Sequence, residues 1–223
     1  MVAALLTARP WRFLRWLVLA PHPDDETLGA GALIAQSAAN GCLAAVVYLT
    51  DGSGSHDKPA GHIIAVRHRE AACAVFRLTG SRKHRPLHLG WKDAAPFVPG
   101  SFDFGRAVAK LAALCRRLRV DVIAVTALHE PHCDHAVAAQ LAYAVQGCAR
   151  RRVKVAEFCV WAHMPLARRF RAVRSRSMPA GKRRHALRAH RSQLTASHGP
   201  GFRLSAEQQR MPAHDTVYVR RFP

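Results

Sequence analysis

Acidic residues are scarce in this sequence: 14 Asp and Glu stand against 34 Lys and Arg, which gives a formal net charge of +20. Long apolar runs are also missing, because no stretch approaches the roughly 18 residues that a membrane-spanning helix requires. The six cysteines include no CxxC pair, and their scattered spacing favours free thiols in a reducing compartment. These shortages argue against a membrane protein and against a disulfide-stabilised secreted domain.

The rest of the composition is that of a soluble globular protein. Apolar residues make up 49% and charged residues 22% of the 223 positions, a balance that argues against disorder. This length suffices for a sizeable core, and we predict a single domain over residues 1–223. The N-terminal stretch is similar to a signal sequence, but Arg9, Arg12 and Arg15 interrupt it, and cleavage near Ala20 would remove a predicted strand. We therefore expect a cytoplasmic protein.

The positive charge is concentrated in the C-terminal third. No acidic residue occurs between Phe158 and Ala206, while ten Lys and Arg crowd residues 168–191. Such a surface attracts anions, but the segment has little aromatic interleaving for base stacking and no nucleic-acid-binding motif. We expect a solvated, Arg-rich surface and no specific nucleic-acid partner, and weak contact with an anionic membrane stays open.

Apolar strand patterns alternate with helical patterns along the chain. Because the strands are continuously apolar, the alternation predicts an α/β fold, a Rossmann-like three-layer arrangement whose mostly parallel sheet is covered on both faces. Residues 171–181 are expected to form a mobile loop. The predicted strands are 16–20, 43–50, 87–90, 120–125, 153–162 and an edge strand at 216–220, and the predicted helices are 27–40, 63–78, 107–118, 135–150 and 182–196.

Two polar clusters follow two of these strands. PHPDDE begins at Pro21, directly after the first strand, and HEPHCDH begins at His129, just past strand 120–125. In a parallel α/β sheet, sites form beyond the carboxyl ends of the strands, so the two clusters can converge on one site. The acidic run in the first cluster is costly unless a cation offsets the repulsion between its carboxylates.

The residue types in the two clusters predict a catalytic metal site. His22 and Asp25 lie on a turn that opens into a helix, and His135 supplies a third ligand from the second cluster. Two histidines and one carboxylate leave coordination positions open, whereas a structural zinc site would close with four protein ligands. Zinc and Fe(II) both fit this ligand set.

Other residues of the clusters have candidate catalytic roles. Asp24, beside a ligand but not needed as one, could take a proton from water held by the metal. His132 could stabilise an oxyanion or protonate a leaving amine, and Asp134 could hold the His132 ring by a hydrogen bond. Four neighbours are given structural roles: Glu26 as a first-turn helix residue and not a ligand, Cys133 as a spacer that points away, and His129 and Glu130 as loop residues.

APHPDDE together with HCDH resembles the PIG-L/LmbE family of zinc-dependent N-deacetylases, which remove acetyl groups from N-acetylglucosamine conjugates. The segments TDGSGS (50–55), RHRE (67–70), LGWKD (89–93) and HRSQ (190–193) also match family segments, so the resemblance covers most of the chain. The resemblance implies His22, Asp25 and His135 as zinc ligands and Asp24 as general base. His132 would be the electrophilic or acid partner, and Asp134 the carboxylate that orients it.

The resemblance also implies a substrate-binding role for two further residues. Arg67 and Asp93 would contact sugar hydroxyls or a phosphate, although an ion pair between Arg67 and Glu70 on a helix surface explains Arg67 almost as well. His190 and Gln193 either line the site or buttress it. The substrate would be a small amino-sugar conjugate, and the positive charge of the chain suggests an anionic or phosphate-linked one.

Two rival functions stay open at this point. An Fe(II) oxygenase could use the same two histidines and aspartate, although strand–helix alternation does not fit the β-helical scaffold expected there. The basic segment could instead belong to an anion-binding or membrane-surface protein that retains a vestigial metal site.

Overall fold

A computed structural model describes residues 3–56, 60–149, 152–163 and 169–220. Within these residues one mixed sheet of eight strands runs through the molecule, in the spatial order β1-β7-β8-β6-β5-β2-β3-β4. The strands are β1 (Ala4–Leu5), β2 (Trp16–Ala20), β3 (Leu43–Thr50), β4 (Leu87–Trp91), β5 (Val122–Thr126), β6 (Lys154–Phe158), β7 (Phe170–Arg174) and β8 (Thr216–Arg220).

The part of the sheet that positions the site is parallel. β2 pairs with β3 on one side and β5 on the other, so that Val18 lies beside Val46 and Ala124. β4 and β6 extend this parallel block, whereas β8 runs antiparallel to both β6 and β7. The carboxyl ends of five neighbouring strands therefore meet at one edge of the sheet.

Helices cover both faces of the sheet. The helices are α1 (Asp25–Ala39), α2 (Ala60–Thr79), α3 (Phe102–Arg117), α4 (Cys133–Cys148), α5 (Lys182–Leu187) and α6 (Arg191–Leu194). Side chains of β2 alternate between the layers: Trp16 and Val18 pack with α1, α2 and α5, whereas Leu17 and Leu19 pack with α3 and α4. All residues of β2 are buried, which explains why its sequence is a continuous apolar run. The predicted α/β fold with a mostly parallel, doubly covered sheet is confirmed.

Several predicted elements of the C-terminal third were wrong. Residues 170–174 form β7, where a mobile loop was expected, and β8 lies between β6 and β7 instead of at an edge. The basic helix predicted over 182–196 is two short helices, α5 and α6, and the strand predicted over 153–162 ends at Phe158. Two exposed arginines, Arg171 and Arg174, interrupt the buried residues of FRAVR and hide the strand pattern of β7.

Three smaller observations complete the fold. All six cysteines are free thiols. Among the described residues, the structure has no helix that is long and apolar enough to cross a membrane. Arg150 and Arg168, assigned above to a helix and to the basic segment, lie outside the described residues.

Candidate active site

The loop after β2 turns sharply into α1. Asp24 adopts φ 138° and ψ −32°, a backbone region that residues other than glycine rarely occupy. The Asp24 carbonyl accepts hydrogen bonds of 2.9 Å from the N–H groups of Thr27 and Leu28, so the helix begins directly at Asp25. The turn brings the two ends of the motif together, and the His22 backbone N–H donates to Asp25 Oδ2 over 2.9 Å.

The three predicted metal ligands converge on one carboxylate oxygen, which belongs to Asp25. Asp25 Oδ2 lies 3.2 Å from His22 Nδ1 and 3.2 Å from His135 Nε2. His135 occupies the first turn of α4, after the loop that follows β5, and its side chain is buried. Convergence of the two strand-end clusters, which the sequence predicts, is confirmed by these contacts.

Each histidine has a carboxylate at its other ring nitrogen. His22 Nε2 lies 3.0 Å from Asp134 Oδ2 and 3.2 Å from Asp93 Oδ1. Glu130 Oε2 lies 3.3 Å from His135 Nδ1. In a neutral imidazole, a carboxylate at one ring nitrogen favours the proton there, so that the opposite nitrogen carries the lone pair. For both histidines, that opposite nitrogen faces Asp25.

This donor set fits a divalent cation. In a tetrahedral site with bonds of about 2.0–2.1 Å, neighbouring ligand atoms lie about 3.3 Å apart, close to the two 3.2 Å separations at Asp25 Oδ2. Imidazole and carboxylate ligands are those preferred by zinc and Fe(II). The ring nitrogens of His22 also form possible metal groups with His132 and His135, and with Asp93 and Asp134. We favour the arrangement around Asp25 because there the outer carboxylates orient both histidines.

Burial and charge perturb the titration of this cluster. Burial lowers the pKa of His135, but the Asp25 carboxylate more than offsets this and raises it to about 9. Burial likewise favours the neutral form of Asp25, yet His135 and His22 hold the pKa of its carboxyl well below the usual range. Asp25 is therefore ionised and able to act as a ligand.

Asp24 is buried beside the ligands but has a different environment. Its side chain lines a cavity that His22 also lines, and Asp24 Oδ2 lies 3.8 Å from a guanidinium nitrogen of Arg67. Burial raises the pKa of Asp24 to about 7, with Arg67 opposing and the charge of Asp25 adding to the shift. A carboxyl group with a pKa near neutrality is suited to accept and return a proton.

His132 also lines this cavity, with its ring centroid 4.8 Å from that of His22. His132 Nδ1 accepts a hydrogen bond of 3.2 Å from the Asp134 backbone N–H, which caps α4. In the neutral ring, the proton therefore resides on Nε2, which becomes a hydrogen-bond donor. Burial and the neighbouring His22 lower the pKa of His132, which favours this neutral form.

Asp134 differs from the expected arrangement. Its carboxylate lies 4.0 Å from His132 Nδ1, beyond hydrogen-bond distance, and instead accepts a 2.9 Å hydrogen bond from the Ala94 N–H while it faces His22 Nε2. The sequence spacing places Asp134 near His132 but does not show which way the carboxylate turns. The link between Asp134 and His132 runs through the backbone.

Arg67 is buried in the site and is not on the helix surface. Its guanidinium donates to the carbonyls of Pro23 and Gly52, over 2.7 and 3.1 Å, and lies 3.8 Å from Asp93 Oδ2. The alternative ion pair with Glu70 is not formed, because Glu70 accepts hydrogen bonds from the N–H and hydroxyl of Ser192. Arg67 thus connects the loops that follow β2 and β3.

A cavity of about 290 Å³ opens in front of these groups. Trp161, Phe202 and Gln208 form its outer part, together with Ala94. Phe202 is 46% exposed and is held by a hydrogen bond of 2.8 Å from its N–H to the Ser55 carbonyl. The residues that line it are His22, Asp24, Gly54, Ser55, Arg67, Asp93, Ala94, His132, Trp161, Gln193, Phe202 and Gln208.

Two of the residues that the sequence left undecided have different positions. Gln193 lines the cavity, whereas His190 is fully buried behind it, with Nε2 3.0 Å from Glu26 Oε1. Glu26 lies in the first turn of α1 and Glu130 in the loop before α4, as predicted, but both are buried and each contacts a buried histidine. The sequence signal for these contacts was the presence of carboxyl groups immediately beside the ligand motifs in a chain that has few acidic residues.

The chain was compared with known proteins. The family model described as PIG-L, GlcNAc-PI de-N-acetylase, matches residues 17–146, which include both ligand clusters. The chain belongs to the PIG-L family. No curated protein matches the chain.

Solved structures similar to this PIG-L family member include several deacetylases. Teicoplanin deacetylase Orf2, in a zinc-inhibited form, has a TM-score of 0.63 at 18% identity, over 93% of this chain and 98% of that one. N,N'-diacetylchitobiose deacetylase from Pyrococcus horikoshii has a TM-score of 0.60 at 20% identity, over 81% and 71%. The conserved protein TT1542 from Thermus thermophilus has a TM-score of 0.58 at 28% identity, over 84% and 82%. At these identities the likeness establishes a shared fold.

Proposed function

We propose that this PIG-L family member is a metal-dependent N-deacetylase acting on an N-acetylated amino sugar. The observation that carries the proposal is the approach of His22 Nδ1 and His135 Nε2 to Asp25 Oδ2, at 3.2 Å each, beside a cavity that His22 and Asp24 line. Family membership and the deacetylases of similar fold support the same reaction. His22, Asp25 and His135 would hold the cation, and zinc or Fe(II) fits them.

When bound, the cation supplies Lewis-acid chemistry at the amide carbonyl and a water of lowered pKa. Asp24 acts as general base, because its carboxyl lies next to a ligand, lines the cavity and is buried. It removes a proton from the water as the water oxygen attacks the acetyl carbon. The same carboxyl then gives that proton to the leaving nitrogen, the C–N bond breaks, and acetate and a free amine are the products.

His132 stabilises the negative charge that develops on the carbonyl oxygen. Its Nδ1 is occupied by the Asp134 N–H, which directs the remaining donor, Nε2–H, away from the helix start. A preoriented neutral donor of this kind is well suited to an oxyanion. Asp134 and Asp93 contact His22 Nε2 and keep the ring oriented, so that Nδ1 is left to bind the metal.

The cavity favours a neutral amino-sugar conjugate. Among the residues described as lining it, Arg67 is the single Arg or Lys, and its guanidinium already donates to two backbone carbonyls. Among these described lining residues, the phosphate-linked substrate that the net charge suggests therefore finds no free cationic partner. Trp161 and Phe202 offer aromatic surface, against which the apolar face of a sugar ring can pack.

Release of a primary amine from a panel of N-acetylglucosamine conjugates tests the proposal. Metal-stripped protein is assayed with graded zinc and, under anaerobic conditions, with Fe(II), since one deacetylase of similar fold has a zinc-inhibited form. Metal-dependent release by the wild type, with turnover reduced by about 10²–10⁴ in Asp24→Asn at unchanged metal content, is expected. Metal-loaded protein that releases no amine from any conjugate would refute the proposed reaction. Turnover that needs oxygen and an oxidisable co-substrate would instead favour the oxygenase.

A further inference from the structure

Glu26 and His190 form a fully buried pair behind the active site. Glu26 is the second residue of α1, and His190 immediately precedes α6, 164 positions later. Their side chains are 0% exposed, and His190 Nε2 lies 3.0 Å from Glu26 Oε1. Burial disfavours the charged forms of both groups, but each stabilises the charge of the other: the pKa of Glu26 is lowered and that of His190 is raised.

The second oxygen of Glu26 holds the backbone of Asp24. Glu26 Oε2 accepts a hydrogen bond of 2.9 Å from the Asp24 N–H, while Oε1 also accepts one of 2.5 Å from the Thr27 hydroxyl. The carboxylate thus joins His190 on one side to the peptide group of Asp24 on the other. Glu26 itself does not line the cavity, so it acts on the site through Asp24.

Asp24 needs such support because its backbone is strained. A φ of 138° places an L-residue in a region that is open mainly to glycine. Residues held in such regions are strained and persist only where the surroundings determine them. The Asp24 side chain makes no capping hydrogen bond, and its carboxyl is 3.8 Å from Arg67. The bonds to its N–H and carbonyl are therefore what fix the direction of the carboxyl.

The stability of the fold alone does not explain why Glu26 and His190 form a buried pair. Desolvation of two charged groups offsets most of their attraction, and apolar residues of similar volume often serve as well or better in a core. The layer around α1 and β3 is otherwise rich in such residues, among them Val46 and Leu33. A charged pair at this position therefore calls for a reason beyond packing.

We propose that His190, acting through Glu26, is a positioning residue that holds Asp24 in the conformation required of the general base. This inference rests on the proposed deacetylase function. It gives the HRSQ segment a role: the segment docks its histidine behind the acidic run and places Gln193 in the cavity wall. The C-terminal third thereby completes a site whose catalytic groups all come from the first 135 residues.

Three variants of zinc-loaded, full-length protein test the role. His190→Leu removes the imidazole that contacts Glu26 Oε1. His190→Gln restores a hydrogen-bond donor that can reach this oxygen. Ser192→Ala is the matched control for disturbance of the same segment, because it removes the buried hydrogen bonds with Glu70 and with the Gln193 amide without touching Glu26. Zinc affinity, kcat and KM are measured for each, and the crystal structure of zinc-loaded His190→Leu gives the backbone angles of Asp24.

The expected result is a fall in kcat of about 10- to 100-fold in His190→Leu, with KM and zinc affinity close to wild type. His190→Gln recovers part of the loss, and Ser192→Ala keeps the wild-type kcat. A kcat in His190→Leu equal to that of Ser192→Ala would overturn the inference. If the wild type releases no amine, the proposed function fails, and the crystal structure of His190→Leu tests the positioning role by itself. An Asp24 φ still near the wild-type value would refute the role, and relaxation to a negative φ would support it.

Discussion

Glu130 links a metal-ligand candidate to the loop that follows β6. Glu130 Oε2 lies 3.3 Å from His135 Nδ1, and the same carboxylate accepts hydrogen bonds from the N–H groups of Val160, Trp161 and Ala162 at 2.6–3.2 Å. These backbone donors fix the carboxylate, which in turn fixes the ring of His135. Glu130 therefore contacts both the loop that carries Trp161 to the cavity and the candidate ligand His135.

The contact between Glu130 and His135 predicts a loss of metal affinity in Glu130→Gln. The amide lacks the charge that favours a proton on Nδ1 and a lone pair on Nε2, so the zinc dissociation constant should rise about 10-fold. Competition with a chromophoric chelator measures this. Glu157→Gln is the control, since Glu157 is also buried but accepts from the Leu128 N–H and not from a candidate ligand. Equal affinity in Glu130→Gln and wild type would show that His135 does not depend on this carboxylate.

His132 should affect turnover without affecting metal binding. If its Nε2–H serves the oxyanion, His132→Ala lowers kcat by about 10²–10³-fold and leaves the zinc dissociation constant unchanged. Titration with zinc and steady-state kinetics on one conjugate separate the two effects. His135→Ala is the comparison variant and should lose zinc. Weakened zinc binding in His132→Ala would instead assign His132 to the ligand set, together with His22 and His135.

Metal removal should lower thermal stability. A cation that binds only the folded chain stabilises it by about 2.7 kcal/mol at 100 times its dissociation constant, which shifts Tm by about 5–10 °C for a chain of this size. Differential scanning fluorimetry before and after chelation, and after zinc is restored, measures the shift. Asp25→Asn should show little response to zinc. An identical zinc response in Asp25→Asn would indicate binding away from Asp25.

Packing between α1 and β6 gives a prediction on stability. A Cβ added to Gly29 would lie 2.7 Å from Phe158 Cε2 and 3.1 Å from Val160 Cγ2. Phe158 is fully buried and cannot move aside freely, so Gly29→Ala should destabilise the fold by about 1–3 kcal/mol despite the better helix propensity of alanine. Gly105→Ala in α3 is the control, because nothing lies within 4 Å of the added atom. Urea unfolding in which Gly29→Ala is as stable as Gly105→Ala would contradict the close packing.

Local spacing accounts for what could be predicted from the sequence. His22 and Asp25 are three residues apart on one turn, and His135 follows a second buried strand, so parallel strand ends suffice to bring them together. The fold could also be predicted from the sequence, because buried parallel strands such as β2 are continuous apolar runs.

Contacts between distant segments could not be predicted in the same way. His190 meets Glu26 across 164 positions, and Glu130 meets Val160 across 30. Neither pair has a local pattern, since each depends on how a loop folds back over the edge of the sheet. The orientation of the Asp134 carboxylate toward His22 was hidden for a similar reason: it depends on the loop at Ala94, which follows another strand.

The position of the cation is the most direct test of this description. Anomalous diffraction at the zinc edge, on crystals of the zinc-loaded protein, locates the ion without reference to activity. We predict one peak about 2.0–2.2 Å from His22 Nδ1, His135 Nε2 and an Asp25 carboxylate oxygen. A peak between His22 Nε2, Asp93 and Asp134, or none among these residues, would contradict the proposed ligands and the roles built on them.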